Sequence, residues 1–291
     1  AVTGWLIALE RTRGVFVIQV VMNGLNIGLD LWFVLGLGWG VPGVAVATLV
    51  AEWTGLALGL WLCRDVLGAH WSAARARIWD AVALRRMAGV NGAIMLRSVL
   101  LQGAFATFVF MGAGQGDVTL AANQILMQFL EIAAYALDGF AFAAEALVGQ
   151  AVGGRSVTMV RRAAFLTSLW ALIGTGLLAL VFLFFGPAII DVMTTSEQVR
   201  AEARVFLPWL IAAPLIGLAS WMLDGIFIGA TMTGQMVRAM VVSVAVYAVA
   251  LAILLPAFGN HGLWAALMVL NVARGVTMGL YWPAVIRKAG G

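Results

Sequence analysis

The sequence predicts an all-α integral membrane protein with eight complete transmembrane helices. Three observations carry that expectation. Hydrophobic residues make up 63% of the 291 and charged residues 10%, against about 45–50% and about 25% in soluble domains. Eight separate apolar runs each supply the roughly 20 residues a helix needs to cross the hydrocarbon. The basic residues fall in alternate connections. Together with a mean hydropathy of +1.02, these features exclude a soluble enzyme, a nucleic-acid-binding domain and a disordered tail.

In chain order, residues 1–9 read as the end of an earlier helix, and the eight spans follow at about 14–37, 41–63, 91–111, 118–150, 163–185, 205–230, 237–258 and 262–282. Breakers set the divisions: Gly38–Gly40 with Pro42, Gly112–Gly116, Gly153–Gly154, Gly186–Pro187, and Pro256 with Gly259. A β-barrel would need segments of about 10 alternating residues. The runs here are long and do not alternate, so helices are expected. Pro208 and Pro214 should kink or loosen the first half of the sixth span.

The charges fix an orientation. Thirteen of the 17 basic residues lie on one set of connections: Arg11, Arg13, Arg64, Arg75, Arg77, Arg85, Arg86, Arg155, Arg161, Arg162, Arg238, Arg287 and Lys288. Only Arg200 and Arg204 lie on the other, and Arg97 and Arg274 fall inside spans. The positive-inside rule makes the first set cytoplasmic, with the C-terminus among it. The net charge of +4 is therefore a topology signal and points to no nucleic-acid partner. The run at 64–90 reads as a solvated loop. It serves as a linker between 1–63 and a six-helix group at 91–291.

A faint repeat relates the two groups. Gly4, Ile7, Thr12, Val20 and Val21 match Gly225, Ile228, Thr233, Val241 and Val242. After a two-residue gap, Gly40, Gly43, Ala47 and Val50 match Gly259, Gly262, Ala266 and Val269. Repeated bundles are common in secondary transporters, with the substrate site between them. Equivalent halves would leave the first short by four helices, so the chain is expected to begin partway through a larger protein.

Eight ionisable residues sit inside spans: Asp30, Glu52, Arg97, Glu131, Asp138, Glu145, Asp224 and Arg274. Each costs roughly 2.5–3.5 kcal/mol at a helix centre, so they must meet water, each other or the bundle interior. Glu131, Asp138 and Glu145 recur every seven residues and share a helix face, with Gln124, Gln128 and Tyr135 on or beside it. Such a stripe lines an aqueous cavity or packs on polar partners. The alternative is structural pairing, Asp138 with Arg97 and Asp224 with Arg274. Glu52 and Glu145 suit helix ends as well as a role.

Asp30 is different. Asn26 lies one turn before it and Asn23 one turn earlier, yet neither its span nor the next contains Arg or Lys. A carboxylate without a cation in low dielectric either binds a proton or recruits a cation such as Na⁺. The alternative is an Asp bonded to neighbouring polar groups. No other metal site is expected, since there is one Cys and two His, His70 and His261, both read as loop residues on opposite sides. No GxxxxGK[ST] loop is present, so no ATP-driven motor is expected.

Several segments resemble the multidrug and toxic compound extrusion (MATE) family, in particular its DinF-like branch. They are Gly24-Leu-Asn-Ile-Gly-Leu-Asp30, Gly43-Val-Ala-Val-Ala-Thr-Leu-Val-Ala-Glu52, Met95-Leu-Arg-Ser98, Ala134-Tyr-Ala-Leu-Asp-Gly-Phe-Ala141, Gly149-Gln-Ala151, Leu223-Asp-Gly-Ile-Phe-Ile-Gly-Ala-Thr231 and Gly259-Asn-His-Gly-Leu-Trp264. The resemblance implies a two-lobe bundle of twelve helices, of which this chain holds helices five to twelve and a truncated N-lobe. It also implies a bacterial inner-membrane antiporter, monomeric, that exchanges H⁺ or Na⁺ for amphipathic or cationic compounds and uses no other cofactor. Asn26, Asp30 and Thr48 match three members of the family's N-lobe cation site, whose fourth, an Asp on the first helix, has no counterpart here. Arg97, Asp138 and Asp224 match motif positions of the C-lobe, where Gln124, Glu131, Tyr135 and Arg274 are further candidates. A flippase for lipid-linked precursors and a membrane-embedded enzyme are the alternative functions.

Overall fold

The protein is known from a computed structural model that describes residues 2–8, 11–64 and 80–290. The described residues form helices joined by short turns. Eight helical stretches are long and apolar enough to cross a membrane, as the hydropathy runs require. The chain divides into two compact units, Ala1–Leu84 and Arg85–Gly291. Most of the expected linker, residues 65–79 with His70, lies outside the described residues.

The first unit holds α1 (Val2–Ala8), α2 (Thr12–Asp30), a π-helical continuation (Leu31–Gly36) and α3 (Val41–Leu62). Between helices in lipid no hydrophobic force acts, so close backbone packing must hold them. A strip of small residues on α3 provides it. Gly43, Ala47, Ala51, Gly55 and Gly59 recur every fourth position and are the buried residues of that helix. A side chain at Gly59 would strike Val2, and one at Gly55 would meet the Met22 sulfur at 3.0 Å.

The second unit holds α4 (Ala81–Ala113), α5 (Asp117–Gly153), α6 (Val157–Met193), α7 (Glu197–Gly229), α8 (Thr233–Phe258), α9 (Asn260–Leu280) and the short α10 (Trp282–Gly290). At 1.5 Å per residue, the 37 residues of α5 reach about 55 Å, well beyond a hydrocarbon layer of about 30 Å. The helices therefore outrun the apolar windows that reveal them, and α4 begins ten residues before the expected start at Asn91. Ser156 and Ser196 cap α6 and α7, accepting from the Met159 and Val199 amides. Glycines again set the closest crossing: a Cβ on Gly225 or Gly229 of α7 would run into the backbone carbonyls of Ala141 and Glu145 on α5.

The prolines correct one expectation. Pro187, Pro208, Pro214 and Pro256 all lie inside helices, so Gly186–Pro187 divides nothing and α7 runs unbroken through both of its prolines. Neighbouring helices can compensate the lost amide bond in a membrane bundle. His261 is likewise in the first turn of α9, not in a loop.

The repeat has a backbone signature. Gly40 caps the start of α3 at φ 58°, ψ −135°, and Gly259 caps the start of α9 at φ 55°, ψ −133°. These left-handed angles favour glycine at both positions. The matched Gly43 and Gly262 are both buried against the preceding helix or turn: a Cβ would meet Phe33 and Trp39 in the first case and the Leu254 carbonyl in the second. The two extra residues between Val21 and Gly40 fall where the first unit has its π-helical turn and the irregular Leu37–Gly40 connection, whereas α8 is α-helical to its end.

Candidate functional site

In the first unit, the α2–α3 contact brings Asn26 to Thr48. The Asn26 amide Nδ2 donates to Thr48 Oγ1 at 3.4 Å, and that hydroxyl donates to the Val44 carbonyl at 3.0 Å. Asp30 stands one turn beyond Asn26 at the last α-helical residue, where the next turn widens to π geometry and Leu37 N–H reaches back to Trp32 O at 2.9 Å. π turns often mark functional positions. Asp30 Oδ1 is buried and has no hydrogen-bond partner among the described residues, so this oxygen is not tied to a polar neighbour there. An unpartnered carboxylate oxygen removed from water is costly, and a proton or a cation would relieve the cost. Asn23 is exposed and donates only to Gln19 at 3.5 Å. Glu52 is exposed on α3.

In the second unit, Asp224 of α7 is held between two guanidinium groups. Its Oδ2 accepts from Arg97 on α4 and, at 2.7 Å, from Arg274 on α9. Side-chain exposure is 14% for Arg97 and Asp224 and 2% for Arg274, so the pairing keeps three charges away from solvent. Arg274 also donates to Asn271 Oδ1 at 3.3 Å. Asp224 Oδ1 and both arginine Nε atoms are buried without partners among the described residues. Of the structural pairing offered as an alternative, Asp224 with Arg274 is present, whereas Arg97 bonds to Asp224 and not to Asp138. The reason is the α5–α7 crossing at Gly225, which lets α7 present Asp224 to both arginines. Asp138 stays within electrostatic reach of Asp224 and Arg97 but has no ion pair or hydrogen bond among the described residues.

The polar stripe of α5 leads away from this cluster. Gln124, Gln128, Glu131 and Tyr135 are exposed, Tyr135 by 72%, and Asp138 and Glu145 are half-buried. Among the described residues, no packing covers this face from Gln124 to Tyr135. Carboxylates and amides on an uncovered face of a membrane helix require water.

A further polar cluster escaped the sequence reading. Asn123 and Asn260 exchange amide bonds at 2.7 and 3.0 Å, and Trp264 Nε1 donates to Asn123 Oδ1 at 2.9 Å. All three side chains are buried. The cues were an asparagine beside Gln124 in an apolar run and the Gly259–Trp264 segment, which holds Asn260 and Trp264. Nearby, Trp209 Nε1 donates to His261 Nδ1 at 3.0 Å, and Thr119 donates to Glu202 at 2.7 Å.

Comparison with known proteins places these features. The MatE family model matches residues 93–254, more than half of the chain. The chain is 38% identical to DNA damage-inducible protein F of Escherichia coli (strain K12) over 285 residues, covering 96% of this chain and 61% of that protein. It is 24% identical to Protein DETOXIFICATION 44, chloroplastic, of Arabidopsis thaliana, covering 87% and 47% respectively. Among solved structures, it superposes on a MATE transporter in the straight conformation with a TM-score of 0.85 at 17% identity, covering 99% of this chain and 66% of the other. The bent form of the Vibrio cholerae MATE transporter VcmN gives 0.79 at 19% identity, with 94% and 62% covered. The chain thus spans between 47% and 66% of the length of these proteins. The solved structures on which it superposes are MATE transporters.

Proposed function

The chain belongs to the MatE family, its DinF-like branch, and on that premise we propose that it works as a secondary antiporter of the bacterial inner membrane, with its C-terminus in the cytoplasm. It exchanges H⁺ or Na⁺ for amphipathic or cationic compounds. The observation that carries this reading is the buried, unpartnered Oδ1 of Asp30 beside the Asn26–Thr48 bridge. An acid with no cation of its own can take up and release one, and a site whose ion affinity differs between two access states drives the switch between them. The coupling site is therefore Asp30, Asn26 and Thr48. The uncovered stripe of Glu131, Tyr135 and Asp138 supplies carboxylates and an aromatic face suited to a cationic substrate. The Arg97–Asp224–Arg274 cluster is ion-paired and ties α4, α7 and α9 together.

The test is ethidium efflux from cells producing the Asp30→Asn protein at the wild-type level. Efflux is expected to fall to background. Wild-type efflux by the variant would remove Asp30 from the mechanism while leaving the family membership intact.

A further inference from the structure

At the turn between α5 and α6, a cavity of about 370 Å³ opens beside Arg162. Its lining changes character along its length. Gly154, Ser156 and Gln150 border it at the turn, and Leu147, Ala163 and Leu166 continue it along the two helices. Leu166 lies ten residues past the turn, about 15 Å along the α6 axis. Leu147, Met159 and Leu166 are each 40–53% exposed, as walls open to the bilayer would be.

The charge here is one-sided. Residues 146–190 contain Arg155, Arg161 and Arg162 and no Asp or Glu. None of these arginines has an ion pair or hydrogen bond among the described residues. The other arginines at membrane depth or at the opposite ends are ion-paired: Arg97 and Arg274 share Asp224, and Arg200 and Arg204 share Asp191. A cation at the mouth of an apolar groove repels a cationic compound and has no use for a neutral one. A soluble anion would satisfy Arg162 but leave the leucine walls unused. A phosphodiester joined to acyl chains satisfies both ends.

We propose that this cavity binds one anionic phospholipid, its phosphate on Arg162 and an acyl chain along Leu147 and Leu166. The proposal needs the chain to lie in a bilayer but is independent of the antiport reading. A basic pocket between transmembrane helices is the arrangement expected to select acidic headgroups.

The test uses the purified chain in nanodiscs of phosphatidylcholine carrying a minority of phosphatidylglycerol, with retained lipid read by native mass spectrometry. The wild type is expected to retain one phosphatidylglycerol in preference to phosphatidylcholine. Arg162→Gln should lower that retention about fivefold, the equivalent of about 1 kcal/mol for one arginine near an anionic surface. Leu166→Trp, which fills the apolar end without changing charge, should lower it as well. Arg238→Gln, a charge change in α8, should leave it unchanged. Both groove positions are exposed, and unaltered melting in pure phosphatidylcholine verifies that the variants fold. Undiminished retention by Arg162→Gln or Leu166→Trp would overturn the proposal. An equal loss in Arg238→Gln would replace it with diffuse surface charge, and displacement of the lipid by inorganic phosphate would replace it with a soluble-anion site.

Discussion

The helix pairs α2–α3 and α8–α9 share one plan and differ in what they carry. Both turn on a glycine with nearly the same backbone angles, Gly40 and Gly259, and both bury a second glycine three residues later. With the register of the repeat, Asn26, Asp30 and Thr48 correspond to Tyr247, Leu251 and Leu267. The latter three are 2%, 8% and 0% exposed. Tyr247 sends its hydroxyl to the Ala104 carbonyl at 3.3 Å, and the two leucines are packed among apolar neighbours. The fold is thus complete with apolar residues at the positions of Asp30 and Thr48. The carboxylate in α2 cannot be a requirement of the architecture, and the π-helical turn that follows it is absent from its counterpart.

The largest effect is expected from exchanging the acid and the leucine. Leu251→Asp places a carboxylate among apolar side chains with no cation beside it, at a cost of about 3 kcal/mol. Thermal melting in detergent should show a marked loss of folded protein. Asp30→Leu removes a buried, unpartnered oxygen, so melting should stay unchanged or rise while efflux disappears. A loss of stability in Asp30→Leu as large as that in Leu251→Asp would break the comparison, because Asp30 would then be structural.

Smaller effects should separate the paired glycines. Gly262→Ala drives a Cβ into the Leu254 carbonyl, and a backbone cannot yield as a side chain can. Gly43→Ala brings a Cβ to 3.1 Å from the Cβ atoms of Phe33 and Trp39. Overpacking costs about 1–3 kcal/mol, and Gly262→Ala should fall at the upper end and Gly43→Ala at the lower. Urea or SDS unfolding of both variants measures the gap. Equal losses would mean that α3 packs as rigidly as α9.

How much of this could be read from residues alone follows the same division. Long apolar runs and alternating arginines report directly on solvent, so the spans and their number were legible. Their ends were legible for α5 but not for α4 and α6, which run six to ten residues beyond their apolar windows, where hydropathy gives no signal. Prolines 187, 208, 214 and 256 mislead because their cost depends on neighbours that sequence does not name. Asp30 stood out because no basic residue shares its span or the next, which is a statement about composition. The partner of Arg97 was hidden, since Asp138 and Asp224 are equally plausible until the crossing of α5 and α7 is known. That crossing is set by Gly225 and Gly229, whose four-residue spacing is visible but whose target is not. The π-helical turn had one trace, the two-residue gap in the repeat, and a gap does not say which geometry absorbs it.

The smallest effect tests whether Thr48 belongs with Asp30 or merely lies near it. Its hydroxyl accepts from Asn26 and donates to the Val44 carbonyl. Thr48→Val keeps the shape and removes both bonds, and it is expected to cost no more than about 1 kcal/mol because Thr48 and its partners are not deeply buried. Thr48→Ser keeps the hydroxyl and should behave as wild type. If the Asn26 amide is held in place for a cation at Asp30, freeing it weakens ion binding without removing the carboxylate. The Thr48→Val protein should then need a several-fold higher H⁺ or Na⁺ concentration for half-maximal efflux, with the maximal rate largely kept. An unchanged ion dependence in Thr48→Val would reduce the bridge to a packing contact and leave Asp30 as the sole residue of the site.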